Sequence, residues 1–293
     1  MRTIETFAVI GGDLRSAYLA GALAADGYRV ITAGFDGTEL PACVTACTNA
    51  AQAIALADCV ILPLPVSTDG VNVNAPFSRV SIPLETVVQA VREDQLLFGG
   101  QISDAFRREL SLRGLTAADY FCREELAVLN AVPTAEGAIQ LAMEELPITL
   151  AGSRCLITGY GRIGRVLARL LTALDASVTV AARRCSDRAW AQAQGCRSVE
   201  IDAVSRERYD VIFNTVPYKL FTREVLEGLD KSTLLIDLAS RPGGVDFNAA
   251  AELRLKTIWA LSLPGRVAPQ SAGVIIKKTV LNMIKEEPEW NSK

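Results

Sequence analysis

The sequence of 293 residues contains no histidine. This absence excludes Ser-His-Asp and Cys-His catalysis and the histidine base of many hydroxy-acid dehydrogenases, and it argues against a catalytic zinc site. Any acid–base group must therefore be an Asp, Glu, Lys, Tyr or Cys side chain, or water. We expect no metal at the functional site.

Other features are missing as well. The net charge is −3, so no basic surface points to nucleic acid. No apolar run reaches the roughly 20 residues of a membrane span, and the N-terminus lacks a basic region before an apolar stretch. The seven cysteines include no CxxC pair, which is typical of reduced thiols. We expect a cytoplasmic protein that binds neither nucleic acid nor membrane.

Strand and helix patterns alternate along the chain, which favours parallel sheets, and the length suits two domains. The two halves repeat the same order of strand-like segments. Residues 7–12, 28–32, 58–65 and 95–99 correspond to residues 155–160, 177–181, 210–217 and 233–237. The sequence therefore predicts an α/β protein of two Rossmann-like, doubly wound domains with parallel sheets.

We place the first domain at residues 1–148 and the second at 149–293. A linker helix over residues 134–145, between Pro133 and Pro147, joins them. The last apolar helix, about residues 271–285, is expected to pack back on the first domain. The first domain would then be the substrate or lid domain.

A glycine-rich turn follows the first strand of the second domain. Gly159, Gly161 and Gly164 form GxGxxG between a β-type run and an apolar-periodic helix. The first glycine permits the turn, the second lets backbone approach a pyrophosphate, and the third allows close helix–strand packing. The remaining residues of this predicted dinucleotide site are Tyr160, Arg162 and Ile163.

The next strand ends in Arg183 and Arg184 and carries no carboxylate for ribose hydroxyls. Arginine suits a 2′-phosphate, so we favour NADP over NAD. The alternative is a pair of solvated surface arginines. The third strand of this domain ends in a turn that is also expected at the cofactor, formed by Asn214, Thr215, Val216 and Pro217.

Several further residues are candidates for an anionic substrate. Ser240, Arg241 and Gly243 lie in a loop at the carboxyl edge of the second sheet, and turn punctuation is the alternative interpretation. Ser271 is a candidate cap of the last helix, near Arg266. Arg15 is either a carboxylate ligand or an exposed side chain. Two more candidates, Thr134 and Glu136, open the linker helix, where a simple capping role is the alternative.

Five motifs together resemble one family. IGGDLR, NAVPTAEGAI, GYGRIGR, DLASRPGGVDF and LPGRVAPQSAG are similar to those of the A subunit of dipicolinate synthase, and they extend from about residue 7 to residue 280. The glycine motif alone is shared with many dehydrogenases. The resemblance implies NADP-dependent oxidation of dihydrodipicolinate, or of its hydrated precursor, to dipicolinate. This branch of the lysine pathway would operate in the mother-cell cytoplasm during sporulation.

The resemblance also implies partners. They are a small dicarboxylate substrate and the flavoprotein B subunit of the synthase; we expect a homo-oligomer as well. Ser240, Arg241, Arg266 and Ser271 would hold the dicarboxylate. Asp13 or Glu136 would orient a proton or water, and Ser240 and Arg241 would assist catalysis. Two alternatives stay open: another NADP-dependent dehydrogenase of small acids, or a non-catalytic NADP-binding protein.

Overall fold

A computed structural model describes residues 4–286 of the chain, and these residues form two compact units. The first comprises residues 4–129 and 268–286, and the second comprises residues 130–267. The boundary therefore lies at Leu129 and Asn130 and not at residue 148. The reason is that the whole of the predicted linker helix packs within the core of the second unit, where Ala135, Ala138 and Ala142 are fully buried.

The first unit is an alternation of short parallel strands and helices. Its strands are β1 (Thr6–Ile10), β2 (Arg29–Ala33), β3 (Thr45–Ala46), β4 (Cys59–Ile61), β5 (Leu96–Gly99) and β6 (Ala118–Asp119). Its helices are α1 (Leu14–Ala25), α2 (Ala50–Ala55), α3 (Leu84–Ala90) and α4 (Asp104–Ser111), followed by the first part of α5 (Glu124–Glu145).

The second unit repeats this pattern after the rest of α5. Its strands are β7 (Arg154–Thr158), β8 (Ser177–Ala181), β9 (Arg197–Val199), β10 (Val211–Asn214), β11 (Leu234–Asp237) and β12 (Lys256–Trp259). Its helices are α6 (Arg162–Ala173), α7 (Cys185–Ala193), α8 (Arg223–Glu227), α9 (Phe247–Glu252) and α10 (Leu263–Val267); the chain then returns to the first unit with α11 (Pro269–Glu286).

Both sheets have six parallel strands in the same order. The order is β3-β2-β1-β4-β5-β6 in the first unit and β12-β11-β10-β7-β8-β9 in the second. Numbered within each unit, both sheets read 3-2-1-4-5-6, which is the doubly wound order of dinucleotide-binding folds. The predicted fold class is confirmed, because the four repeated segments supply strands 1, 2, 4 and 5 of each sheet.

The long helix α5 differs from its prediction. It begins at Glu124, ten residues before the predicted start, and Pro133 lies inside it. Of the helices within residues 4–286, α5 is the one long and apolar enough to cross a membrane, with 44% of its apolar window buried. Its buried residues pack in protein cores, with Leu126 in the first unit and Ala138 in the second.

Helix α11 packs against α1 in the first unit. A Cβ added to Gly273 would lie 2.5 Å from the carbonyl oxygen of Arg15, so the glycine permits a close helix crossing. The Lys277 ammonium donates to the Asp26 carboxylate (2.8 Å) and to the Ala22 carbonyl (3.3 Å). The core of this unit therefore includes side chains from both of its chain segments.

The cysteines are all free thiols. Cys59, Cys155 and Cys196 are buried, and burial raises the pKa of the Cys155 thiol to about 11. Cys43, Cys122 and Cys185 are exposed.

Candidate functional site

The strand order of the second unit marks where a ligand is expected to bind. Strands β7 and β10 lie side by side in the sheet. The chain continues from β7 to β8 toward one edge of the sheet and from β10 to β11 toward the other edge. In open parallel sheets a crevice forms at this point, beyond the carboxyl ends of the strands. The loops that follow β7 and β10 are the glycine-rich turn and residues 215–217.

Each glycine of the turn occupies a distinct environment. Gly159 has φ +87°, which a side chain would strain, and its N–H donates to the Ala181 carbonyl at 2.8 Å. Gly161 is the N-cap of α6, and a Cβ built there would meet no atom within 4 Å. Gly164 is buried, and its Cβ would lie 2.4 Å from the Gly159 carbonyl oxygen. The open side of the turn is therefore at Gly161.

The contrast between the last two glycines predicts a difference in stability. Gly164→Ala is expected to lower the free energy of unfolding by about 2 kcal/mol or more, because the added methyl forces α6 away from β7. Gly161→Ala is the matched control and should unfold within about 0.5 kcal/mol of the wild type. Urea unfolding of both cofactor-free variants measures this difference. Equal midpoints would contradict the packing role of Gly164.

Other residues of the turn point into the protein. Tyr160 is buried, its hydroxyl donates to Gln194, and the Arg165 guanidinium lies 5.6 Å from its ring centroid. Ile163 packs on the same core. The Tyr160 side chain is therefore turned away from solvent, whereas Arg162, in the first turn of α6, is exposed. That Tyr160, Arg162 and Ile163 belong to the cofactor site stays a prediction.

The two arginines after β8 are both exposed. Arg183 precedes α7, and Arg184 is its N-cap. Among residues 4–286, neither guanidinium has a hydrogen-bond or ion-pair partner. Their charge is therefore uncompensated at the strand end where a dinucleotide fold places the adenosine ribose.

Nearby carboxylates are paired with other arginines. Asp187 lies 3.9 Å from Arg165, and Glu200 lies 3.3 Å from Arg188. Arg188 also donates to the carbonyls of Ala182 and Arg183, at 2.9 and 3.1 Å. Arg188 therefore fixes the backbone below the two exposed arginines. Arg188 is not among the residues predicted from the sequence, although its position one turn into α7 indicates contact with the strand end.

The end of β10 is held by hydrogen bonds. The Asn214 amide nitrogen donates to Asp237 Oδ1 (2.8 Å) and to the Val216 carbonyl (3.1 Å), and its oxygen accepts from Thr158 Oγ1 (2.6 Å) and from Val216 N–H (3.2 Å). Asn214 is 0% exposed, so its side chain is not available to a cofactor. Of the predicted segment, Thr215, Val216 and Pro217 remain candidates.

The loop after β11 presents Ser240 and Arg241 to solvent. The Arg241 guanidinium lies 5.8 Å from the ring of Trp259, whose indole N–H donates to the Ala239 carbonyl at 3.1 Å. Gly243 is buried, and its Cβ would lie 3.2 Å from the Trp259 ring, so its place indicates packing and not substrate contact. The exposed part of this loop is a cationic surface.

In the first unit, the turn that follows β1 is filled by residues of the same unit. Asp13 is the N-cap of α1, and its carboxylate pairs with Arg15 through hydrogen bonds of 2.8–3.0 Å. Arg15 also donates to the Leu64 carbonyl, and its side chain is 12% exposed. A Cβ on Gly11 would lie 3.1 Å from the Asn74 carbonyl oxygen. Arg15 is therefore neither exposed nor free for a carboxylate.

Four further predicted residues lie on helices α5, α10 and α11. Thr134 lies inside α5, where its hydroxyl donates to the Asn130 carbonyl, so it is not a helix cap. Ser271 lies in the first turn of α11, which begins at Pro269, so it is not the N-cap. Glu136 and Arg266 are exposed and have no side-chain polar partner among residues 4–286.

The two units match two families. The family described as the N-terminal domain of the dipicolinate synthase A subunit matches residues 6–121. The NAD-binding domain of D-isomer-specific 2-hydroxyacid dehydrogenases matches residues 129–255. The chain is also 31% identical to the A subunit of dipicolinate synthase from Bacillus subtilis strain 168, over 98% of each sequence. The chain belongs to the family of dipicolinate synthase A subunits.

Crystal structures of the family agree with this assignment. The dipicolinate synthase A subunit of Bacillus halodurans has a TM-score of 0.86 at 29% identity, covering 95% of this chain and 97% of that one. Its counterpart from Bacillus subtilis has a TM-score of 0.85 at 29% identity, covering 98% and 97%. The second unit is thus a dehydrogenase-type domain for a nicotinamide cofactor, and the resemblance seen in the sequence is confirmed.

Proposed function

We propose that this chain oxidises dihydrodipicolinate, or its hydrated precursor, to dipicolinate with NADP. The observation that carries the proposal is the open turn at Gly161 in the same unit as two unpaired arginines at the end of β8. Bound NADP supplies a hydride acceptor. The dihydrodipicolinate ring gives up one hydride and one proton, and the product ring becomes aromatic; the hydrated precursor must in addition lose one water.

The choice of NADP rests on charge. A 2′-phosphate carries negative charge that Arg183 and Arg184 would meet with charge-assisted hydrogen bonds. Among residues 4–286, no carboxylate pairs with either guanidinium, and Asp187 and Glu200 are paired with other arginines. Arg188 supports the backbone from which Arg183 projects.

Removal of both arginines should change cofactor preference. In Arg183→Ala/Arg184→Ala, the Kd for NADP is expected to rise about a hundredfold or more, since two charge-assisted hydrogen bonds worth about 1.5–3 kcal/mol each are lost. The Kd for NAD should stay within about twofold, because NAD lacks the 2′-phosphate. Titration of nucleotide-dependent fluorescence measures both constants. Arg206→Ala, which removes an exposed arginine elsewhere in the unit, is the control; an equal loss for NAD would contradict the assignment.

The substrate assignment rests on the exposed cation after β11. Arg241 suits one carboxylate of a dicarboxylate in a bidentate pair, and Ser240 adds a hydroxyl donor. Because aromatisation drives the reaction, the ring proton can pass to water or to a weak base, which fits a chain without histidine. Arg266, Thr134, Ser271, Asp13 and Glu136 remain candidates, whereas Arg15 is dropped because Asp13 and the Leu64 carbonyl hold its guanidinium.

We extend the proposal to partners and setting. The relatives are named as the A subunit of dipicolinate synthase, which implies that the synthase has a second subunit. We propose that this partner is a flavoprotein, that the chain forms a homo-oligomer, and that it acts in the mother-cell cytoplasm during sporulation. These points follow from the family resemblance.

The test mixes freshly generated dihydrodipicolinate, NADP and the purified chain, with and without a candidate flavoprotein partner. NADPH and dipicolinate are followed together. Equal amounts of both from this chain alone are expected. If both products appear only with the partner, the active site is shared or lies in the partner. If neither appears in any mixture, the dipicolinate assignment fails and oxidation of another small acid must be tested.

A further inference from the structure

One row of residues crosses the carboxyl edge of the second sheet. Thr158, Asn214, Asp237 and Trp259 are the last residues of β7, β10, β11 and β12, and they are paired in register. The first three are joined side chain to side chain, from Thr158 Oγ1 to Asn214 Oδ1 and from Asn214 Nδ2 to Asp237 Oδ1. The row therefore links the strand before the glycine turn to the strand before the Arg241 loop.

Asp237 is the charged member of this row, and it is 0% exposed. Its carboxylate accepts three hydrogen bonds. Oδ1 accepts from the Asn214 amide (2.8 Å) and from Ala239 N–H (3.0 Å), while Oδ2 accepts from Gly244 N–H (2.8 Å). A buried carboxylate is tolerated only where donors replace water, and here two of the donors are backbone groups at the two ends of one loop.

The loop over residues 238–244 is shaped around this carboxylate. A Cβ on Gly243, which has φ +84°, would lie 3.0 Å from Asp237 Oδ2. A Cβ on Gly244 would lie 2.2 Å from the Asn214 amide nitrogen. The two consecutive glycines therefore let the backbone close on the Asp237–Asn214 pair. Arg241 lies in the middle of the loop, between the two anchored ends.

We infer that Asp237 is a positioning residue: its carboxylate holds the 238–244 loop, and with it the Arg241 guanidinium, in the geometry that a dicarboxylate substrate needs. This inference rests on the proposed function and adds a residue to the same site. Asp237 does not touch the substrate, because it is buried beneath the loop. Its effect should fall on substrate affinity and turnover and not on cofactor affinity.

The isosteric variant Asp237→Asn tests the two ends of the loop separately. The asparagine oxygen can still accept from Asn214 and Ala239, and its NH₂ group then faces the Gly244 N–H, where two donors meet. If the asparagine amide were flipped, its NH₂ group would instead face the Asn214 and Ala239 donors, and two hydrogen bonds would be lost. We therefore expect Gly244 N–H to exchange about tenfold faster or more, while Ala239 keeps its protection.

Kinetics test whether this loop serves the substrate. In the full-length chain, with whichever partner protein turnover requires, Asp237→Asn should raise the substrate KM about tenfold and leave the NADP Kd within about twofold. Asp246→Asn makes the same chemical change at the N-cap of α9, where asparagine also caps well, and is the matched control. An unchanged KM, or equal losses for substrate and NADP, would overturn the inference.

Two further outcomes are decisive. If the wild-type chain shows no turnover, the proposed function has failed, and amide exchange alone decides: wild-type exchange at Gly244 in Asp237→Asn overturns the inference. If Asp237→Asn does not fold, Trp259→Phe removes the indole donor to Ala239 from the same loop. A raised KM with unchanged NADP affinity in that variant supports the inference, and unchanged kinetics overturn it.

Discussion

Replacement of Gly161 by valine is expected to abolish measurable NADP binding while the second unit stays folded. The built Cβ at this position meets no protein atom within 4 Å, and φ is −81°, so a branched side chain fits the backbone. The same side chain would occupy the space over the N-terminus of α6, where a pyrophosphate approaches backbone N–H groups. A side chain in that space therefore prevents the ligand from binding but leaves the fold intact.

The expected loss is about a hundredfold or more in NADP affinity, because displaced phosphate oxygens forfeit several charge-assisted hydrogen bonds at about 1.5–3 kcal/mol each. Isothermal titration of NADP measures the affinity, and thermal unfolding of the cofactor-free variant shows that the fold is intact. Arg206→Ala provides the reference for a neutral surface change. NADP binding by Gly161→Val within about threefold of the wild type would mean that the pyrophosphate does not pass over this turn.

Arg241→Ala is expected to lower kcat/KM for the dicarboxylate by about tenfold to a hundred-and-fiftyfold, the value of a charge-assisted hydrogen bond to a carboxylate. The guanidinium is exposed and, among residues 4–286, has no carboxylate partner; it lies 5.8 Å from the Trp259 ring centroid. Its loss leaves no buried group unsatisfied, so stability should change by less than about 0.5 kcal/mol.

Steady-state kinetics with varied substrate at saturating NADP measure this effect. Arg241→Lys should recover only part of the loss, since an ammonium group cannot form the two parallel hydrogen bonds of a guanidinium. The NADP Kd should be unchanged in both variants. If Arg241→Ala keeps the wild-type kcat/KM, another cation must bind the substrate carboxylate, and Arg266 is the next candidate.

The doubly wound sheets could be predicted because their signals are local and occur twice. A buried strand followed by a glycine turn and an apolar-periodic helix is visible in residues 155–174 alone. The extent of α5 could not be predicted in this way, because Pro133 usually marks a helix boundary. In the structure, packing of Ala135 and Ala138 in the core keeps the helix continuous past the proline.

The site was predicted only in part because its polar side chains are shared across distant strands. Asn214 looked like a cofactor contact, but its amide is used by Thr158, Val216 and Asp237, which lie up to 56 residues away. The case of Arg15 was different, because its partner Asp13 is two residues away and caps the same helix. An Asp-x-Arg pattern at a helix start was a local signal for that ion pair.

Helix α11 has a consequence for the order of events during synthesis. The core of the first unit contains Ile276, Val280 and Met283, which leave the ribosome after the whole of the second unit. Domains fold as units while the chain emerges. The cofactor-binding unit, although encoded in the middle of the chain, can therefore complete its core first, and the unit that begins the chain waits for α11 to cover α1.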